Sequence, residues 1–200
     1  MSKNIALFGG SLDPPGMHHF WIACRLIPHF TEVIVFPCGS ARRDKPFLDE
    51  VSDEDRAAMV LLAFAGLSGV RIDLSDLEKH EYTRTWDLDE RFRKEGEVWH
   101  VAGTDLICGA KHGQSVIQRE WTNGKMLWEA CNFAVVVRQD YPLDRDDLPP
   151  HHRIFEPEHF GSSTQIRQYI AAGKPFEHLV TPGVAAYIKE HGLYGWKEEL

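Results

Sequence analysis

Short apolar segments alternate along this chain with segments in which apolar residues recur at helical spacing. The apolar segments have the length of buried strands and lie at 5–8, 32–36, 70–72, 98–102 and 133–138. Helical spacing is found at 18–29, 53–64 and about 86–95. Strands that alternate with helices favour parallel pairing through right-handed crossovers. The pattern therefore predicts an α/β fold with a doubly wound, mostly parallel sheet, to which 153–155 adds a short strand.

Two further helices are predicted beyond the last strand. Ser162, with Gln165 three residues later, has the spacing of a capping box, so one helix begins here and ends before Gly173. Thr181-Pro182 begins the other. The 200 residues, 43% of them hydrophobic, suffice for one domain with its own core. We expect a core at 1–155, a small C-terminal helical extension at 156–200, loops at 38–52 and 140–152, and an irregular polar stretch at 74–86.

The turn between the first strand and the first helix is the most informative part of the chain. Paired glycines, Gly9-Gly10, and paired prolines, Pro14-Pro15, separate the two elements. Glycines let a ligand approach the backbone, and the free N–H groups and positive dipole end of the following helix favour an anion. His18 and His19 lie where this helix begins and can donate to phosphate oxygens. In the alternative interpretation, the glycines and prolines only turn the chain and the histidines cap the helix.

A second predicted helix start has the same chemistry. The hydroxyl groups of residues 162–164 and the free N–H groups of the helix that begins there are suited to a phosphate. Arg167 lies one turn into this helix and can reach the same anion with a fork of donors. A lone capping box is more often structural than functional. By itself this motif is therefore weak evidence for a phosphate site.

Charge and cysteine usage narrow the class of protein. Thirty acidic residues outnumber 22 basic residues, the net charge is −8, and Lys and Arg form no stripe along the sequence. We therefore expect no nucleic acid partner, although a small anion can still bind in a local pocket. The four cysteines lie far apart, in neither a metal nor a redox pattern, which is typical of reduced thiols. We expect a cytoplasmic protein with no membrane association, and the sequence leaves a homo-oligomer open.

The first loop resembles that of the nucleotidyltransferases whose signature is Gly-Gly-Ser/Thr-Phe-Asp-Pro followed by His-x-Gly-His. The loop here is Gly9-Gly10-Ser11-Leu12-Asp13-Pro14, and the tetrad positions hold Gly16-Met17-His18-His19. The second histidine of the tetrad is present and the first is not. Eukaryotic mononucleotide adenylyltransferases of this family also lack the first histidine, in a Thr-Asn-Met-His version.

The C-terminal part carries the rest of the resemblance. Residues 162–167 are similar to the family motif Ser-Ser-Thr-x-Ile-Arg at every defined position. The end of the chain, from Val184 to Tyr194, is similar to that of nicotinate and nicotinamide mononucleotide adenylyltransferases. The resemblance covers nearly the whole chain, matches poorly at about 107–130, and implies a Rossmann-like fold.

The resemblance also implies roles for individual residues. Catalysis would use His19 and Arg167, with Lys45 closing over the phosphates from a basic loop whose alternative is an ordinary solvated loop. ATP would be bound by Gly9, Gly10, Ser11, Leu12, Gly103, Asp105, Ser162, Ser163 and Thr164. A pyridine mononucleotide would be bound by Thr83, Thr85, Trp86, Trp121 and Arg138. Trp128 is the alternative to Trp121, and Thr104 or Asp105 is alternatively only a helix cap.

The reaction implied by the resemblance is adenylyl transfer. The phosphate of the mononucleotide would attack the α-phosphorus of ATP, forming a dinucleotide and releasing pyrophosphate. Mg²⁺ would be held mainly by the ATP phosphates and water, with no metal site in the protein. Two alternatives stay open: a nucleotidyltransferase with another phosphorylated acceptor, and an ATP-binding homologue that Gly16 has weakened. Gly16 implies a slower enzyme unless His18 or a water fills the place of the missing histidine.

Overall fold

The computed structural model describes residues 3–40, 51–159 and 161–198, and a six-stranded parallel sheet lies at its centre. The strand order is β3-β2-β1-β4-β5-β6. The strands are β1 (Lys3–Gly10), β2 (Glu32–Pro37), β3 (Val70–Ile72), β4 (Gly96–Gly103), β5 (Asn132–Val136) and β6 (His152–Phe155). The predicted doubly wound α/β fold is thereby confirmed.

The helices of the described residues connect these strands and follow the last one. They are α1 (Met17–Leu26), α2 (Asp53–Ala63), α3 (Ser75–Lys79), α4 (Thr85–Phe92), α5 (Thr104–Ile107), α6 (Val116–Glu120), α7 (Gly124–Ala130), α8 (Ser163–Ala171) and α9 (Pro182–His191). Short 3₁₀ turns lie at Ile27–His29, Ala110–His112, Arg145–Asp147, Glu177–Leu179 and Leu193–Gly195. Several bounds differ from the prediction: α1 ends at Leu26 and not at 29, α4 ends at Phe92 and not at about 95, and β5 ends before Arg138. Helix α3 lies inside the stretch expected to be irregular.

Alternate residues of the central strands enter cores on opposite faces of the sheet, as the period of two in a strand requires. Ala6 and Phe8 of β1 pack with α1, α2, α8 and α9, whereas Ile5 and Leu7 pack with α4. Helices α5, α6 and α7 cover the second face beside β4 and β5. Because α8 and α9 contribute to the same core as β1, the C-terminal helices are packed on the sheet.

The chain reverses its direction of travel across the sheet between β1 and β4. It passes from β1 to β2 and β3 at one edge, then returns to pair β4 with the other side of β1. In a parallel sheet, such a reversal opens a crevice at the carboxyl ends of the two strands. The glycine pair that ends β1 and the Gly103 that ends β4 therefore lie at the mouth of one crevice.

Helices α2 and α8 have a serine cap at their N-terminus, whereas the Thr181 side chain makes no cap bond at α9, the helix that the sequence predicts to begin at Thr181-Pro182. The Ser52 hydroxyl accepts from the Asp55 N–H at 3.0 Å, and the Ser162 hydroxyl accepts from the Gln165 N–H at 3.1 Å. The reciprocal half of the capping box at α8 is not formed, so Ser162 acts as a simple N-cap. None of the helices in the described ranges has the length and apolar character needed to cross a membrane.

Candidate functional site

A cavity of about 860 Å³ opens at the carboxyl ends of β1 and β4. The predicted site residues that line it are Gly9, Gly10, Ser11, Leu12, His19, Thr83, Thr85, Asp105, Trp121, Arg138, Ser162, Ser163, Thr164 and Arg167. Gly103 and Trp86 are not among the lining residues, and Lys45 lies outside the described residues. Most of the residues predicted from two distant motifs are thus brought together around one space.

The loop after β1 is fixed from beneath by a buried arginine. Arg56 of α2 is fully buried, and its guanidinium donates to the Ser11 carbonyl at 3.0 Å and to Asp53 Oδ1 at 2.5 Å. The second carboxylate oxygen of Asp53 bonds to His80 Nδ1 at 2.8 Å. Burial alone would raise the pKa of Asp53, but hydrogen bonds from Arg56, His80 and Ser40 lower it below its usual value. Asp53 therefore stays ionised and compensates the charge of the Arg56 guanidinium, which donates to the loop.

Helix α1 begins at the edge of the cavity with His19 in a fixed orientation. The backbone N–H of Gly16 donates to His19 Nδ1 at 3.1 Å. In a neutral imidazole whose Nδ1 accepts, the proton is on Nε2. His19 lines the cavity, so its ring is suited to donate from Nε2 to a phosphate oxygen there.

The start of α8 is tied directly to the loop after β1. The Ser163 hydroxyl donates to the Pro14 carbonyl at 2.9 Å, and Arg167 donates to the Asp13 carbonyl at 2.5 Å. Arg167 also donates to Thr164 Oγ1 at 3.2 Å. Two motifs that are about 150 residues apart are therefore joined by hydrogen bonds, with the N-termini of α1 and α8 at the same cavity.

The end of β4 presents an ion pair to the cavity. Asp105 Oδ1 and Arg138 Nε lie 2.8 Å apart. A Cβ at Gly103 would lie 2.2 Å from that Asp105 oxygen and 2.5 Å from that Arg138 nitrogen, so only glycine lets the pair cross above this residue. The alternative of Asp105 as a helix cap is wrong, because Gly103 is the N-cap of α5 and no side chain caps it.

Residues before α4 and in the segment between α5 and α7 line the remaining side. Asp76 accepts from the Thr83 N–H at 2.7 Å and from the Thr83 hydroxyl at 2.5 Å, which fixes the chain just ahead of α4. Of the two candidate tryptophans, Trp121 lines the cavity, whereas Trp128 is only 5% exposed in the core. Trp86 packs against the core formed with α5, α6 and α7. The structure thus favours Trp121 over Trp128 as the aromatic residue that a ligand can reach.

Comparison with known proteins identifies the family of this chain. The cytidylyltransferase-like family model matches residues 7–169, more than half of the chain. The chain belongs to the cytidylyltransferase-like family. It is 31% identical to a Pseudomonas fluorescens protein named "Probable nicotinate-nucleotide adenylyltransferase", over 97% of this chain and 98% of that protein. A Neisseria meningitidis protein of the same name is 30% identical, over 96% of this chain and 98% of that protein.

A solved structure has the same fold as this chain. The Plasmodium falciparum nicotinic acid mononucleotide adenylyltransferase complexed with NaAD superposes with a TM-score of 0.80 and 24% sequence identity, over 98% of this chain and all of that one. The predicted membership of the nucleotidyltransferases is confirmed by these matches, and the chain is a nucleotidyltransferase.

Two residues that support the site of this cytidylyltransferase-like chain, Arg56 and Tyr194, were not assigned a role from sequence, and the role of a third, His18, was left open. Arg56 looks like an ordinary helix residue, and its burial depends on α2 packing under the loop. Tyr194 donates to Asp13 Oδ1 at 2.5 Å from the far end of the chain. His18 lines the cavity and is only 7% exposed, although the sequence left its role open. The motif ending in Tyr194 was the only signal that could have pointed to one of these contacts.

A buried group of potential metal ligands is formed by residues of α4, β4 and the C-cap of α7, and its His100 also lines the cavity. Asp89, His100 and Cys131 have ligand atoms within 4.8 Å of one another. His100 Nε2 bonds to Asp89 Oδ1 at 2.9 Å, and Arg93 forms an ion pair with Asp89 and donates to the Cys131 sulfur at 3.5 Å. Burial raises the pKa of the Cys131 thiol to about 11. With a neutral thiol and a guanidinium already in place, this group is suited to holding α4 against β4 and not to binding a cation.

Proposed function

We propose that this chain transfers the adenylyl group of ATP to nicotinate mononucleotide, forming nicotinate adenine dinucleotide and releasing pyrophosphate in NAD biosynthesis. The observation that carries the proposal is the junction of two helix N-termini, those of α1 and α8, at one cavity. The names of relatives that match along almost the entire chain support the acceptor.

The phosphates of ATP are assigned to the two helix starts. The main chain of 10–12 and the Nε2 proton of His19 contact the α- and β-phosphates. Ser162, Ser163, Thr164 and Arg167 contact the leaving pyrophosphate. Asp105 accepts from a ribose hydroxyl, and Arg138 holds that carboxylate in place.

The mononucleotide is assigned to the side of the cavity formed ahead of α4. Trp121 stacks on the pyridine ring, and Thr83 and Thr85 contact its polar groups. Arg138 lines the same cavity and attracts the phosphate of the mononucleotide. The nucleophile is already an anion, so the protein aligns two charged groups and neutralises the charge that develops between them. No general base is required.

Mg²⁺ enters with ATP in this proposal. Four carboxylates of the described residues line the cavity: Tyr194 donates to Asp13, Thr83 donates to Asp76, Asp105 forms an ion pair with Arg138, and Glu120 is exposed. With three of the four already paired within the protein, the lining fits a metal whose ligands are mainly phosphate oxygens and water, the coordination that Mg²⁺ commonly adopts with nucleotides. The bound ion would neutralise charge on the phosphates.

The test is a comparison of acceptors with the purified protein, ATP and Mg²⁺. Nicotinate mononucleotide, nicotinamide mononucleotide and a panel of other phosphorylated acceptors are supplied separately, and dinucleotide and pyrophosphate are measured together. We expect equal amounts of both products and the highest kcat/KM with nicotinate mononucleotide. Turnover only with an acceptor that carries no pyridine ring would contradict the proposal, as would ATP binding without any product.

A further inference from the structure

The backbone at Gly16 is enclosed by other side chains. A Cβ built there would lie 2.6 Å from Ile166 Cδ1 and 2.7 Å from both Cε1 and Nδ1 of His18. Real Cβ atoms do not approach other atoms so closely, so no side chain fits at this position without movement of its neighbours. The position where the resemblance placed a missing histidine is therefore filled by the ring of the histidine two residues later.

The ring of His18 lies between the two helix starts. Its centroid is 3.9 Å from that of His19 in α1, and a Cβ at Gly161, just ahead of α8, would lie 3.1 Å from its Nδ1. The side chain is 7% exposed and lines the cavity. His18 thus lies beside His19 and next to the start of α8, which are both assigned to ATP.

The state of the ring suits a donor of hydrogen bonds. In the residues that the structure describes, no hydrogen bond joins the His18 ring to another group, and the ring opens on the cavity. Burial, with a smaller contribution from the charge of Arg138, lowers the pKa of His18 to about 4. At neutral pH the imidazole is uncharged, with one N–H donor and one acceptor nitrogen. Because the ring opens on the cavity, its N–H can donate to a ligand that binds there.

We propose that His18 is a catalytic residue that donates an N–H hydrogen bond to a phosphate oxygen of ATP, beside His19, and so takes the part of the side chain that Gly16 lacks. The inference rests on the proposed function and adds a residue to it. In the reaction, a phosphate oxygen of the mononucleotide forms a bond to the α-phosphorus while the bond from that phosphorus to the bridging oxygen breaks. His18 keeps its proton and stabilises the charge on the oxygens.

The first test separates a donor from a space filler. His18→Phe keeps an aromatic ring without an N–H, His18→Gln keeps a donor, and His29→Phe is the matched control, because His29 packs on Phe155 outside the cavity. We expect His18→Phe to lower kcat by about 100-fold or more with little change in KM for the mononucleotide. We expect His18→Gln to recover about tenfold of that loss and His29→Phe to match the wild type. A kcat of His18→Phe within about threefold of wild type would overturn the proposal, as would equal losses in both His18 variants.

A second measurement does not depend on the variants or on the acceptor. The ring signals of His18 are followed by nuclear magnetic resonance in the wild-type protein while α,β-methylene ATP, which cannot be cleaved at the reacting bond, is added. We expect the N–H signal of His18 to shift and to exchange more slowly with water. Unchanged His18 signals at saturating analogue would overturn the assignment even if turnover is seen, whereas failure of the proposed function is recognised separately by the absence of dinucleotide with every acceptor.

Discussion

The hydroxyl of Tyr194 connects the end of the chain to the loop after β1, and its removal tests how this loop is held. Tyr194 donates to Oδ1 of Asp13, which is fully buried, at 2.5 Å. Burial and the nearby Asp13 charge raise the pKa of Tyr194 far above its usual value, so the phenol remains a donor at any working pH. Tyr194→Phe keeps the ring and removes only this donor.

The expected magnitude follows from the charge and burial of the acceptor. A hydrogen bond to a charged group contributes about 1.5–3 kcal/mol, and a buried carboxylate that loses it retains its desolvation cost. We therefore expect Tyr194→Phe to lower the free energy of unfolding by about 2 kcal/mol. Because Asp13 and Pro14 carry the carbonyls bonded by Arg167 and Ser163, we also expect kcat/KM to fall about tenfold or more.

The assay is urea unfolding of each variant together with its steady-state kinetics. Tyr187→Phe is the control, since the Tyr187 hydroxyl donates to the half-buried Asp55 at 2.9 Å, away from the cavity. The control should lose about 1 kcal/mol or less and keep its kcat/KM. A stability loss in Tyr194→Phe no larger than that in Tyr187→Phe, or a kcat/KM of Tyr194→Phe equal to that of the wild type, would refute this role of the hydroxyl.

Three further predictions concern the groups around the cavity. Gly103→Ala would displace Arg138 from above the end of β4, so we expect kcat/KM to fall about tenfold with a nearly unchanged unfolding midpoint in urea. An unchanged kcat/KM would contradict this. Arg56→Met leaves the charge of Asp53 buried without its guanidinium, and we expect urea unfolding to show a loss of about 3–5 kcal/mol; a loss under about 1 kcal/mol would count against it. The pKa of His18 is about 4 in the folded protein, whereas the usual value is 6.5. The stability that the neutral His18 ring contributes is therefore fully present above pH 6.5 and is lost as the pH falls towards 4, because the unfolded chain takes up the proton first. At about pH 5 the loss in the free energy of unfolding is about 2 kcal/mol, and His18→Phe should lack this part of the pH dependence in unfolding measurements. The same pH dependence in His18→Phe and the wild type would disprove this prediction.

The parts of the site that were predicted from sequence are those encoded locally. Each motif assigned to phosphate is a short turn followed by a helix start. Gly9-Gly10 and Ser162 therefore predict the local backbone geometry from only a few neighbouring residues. The alternation of strands and helices then places the end of β1 at a crevice. The sequence-based prediction was therefore correct where the residues that carry the sequence pattern are also the residues that form the local structure.

The contacts that were not predicted depend on residues far apart in the chain. Arg56 and Tyr194 reach the loop from α2 and from the last turn. Arg56 has no local pattern that distinguishes it from a surface residue, and the motif that ends in Tyr194 does not show what its hydroxyl contacts. The enclosure of Gly16 depends on Ile166, 150 residues away, which contributes to the core from α8. The motif alone therefore showed that a histidine was missing but not that His18 fills its place.

The central claim is that the N-termini of α1 and α8 hold the phosphates of one ATP during adenylyl transfer. The most direct measurement is the initial rate of nicotinate adenine dinucleotide formation by the wild type, His19→Ala and Arg167→Ala, with ATP and nicotinate mononucleotide. We predict product in the wild type and a loss of about 100-fold or more in kcat/KM for each variant, because each removes a donor to a phosphate. A kcat/KM within about threefold of wild type for either variant would contradict the claim.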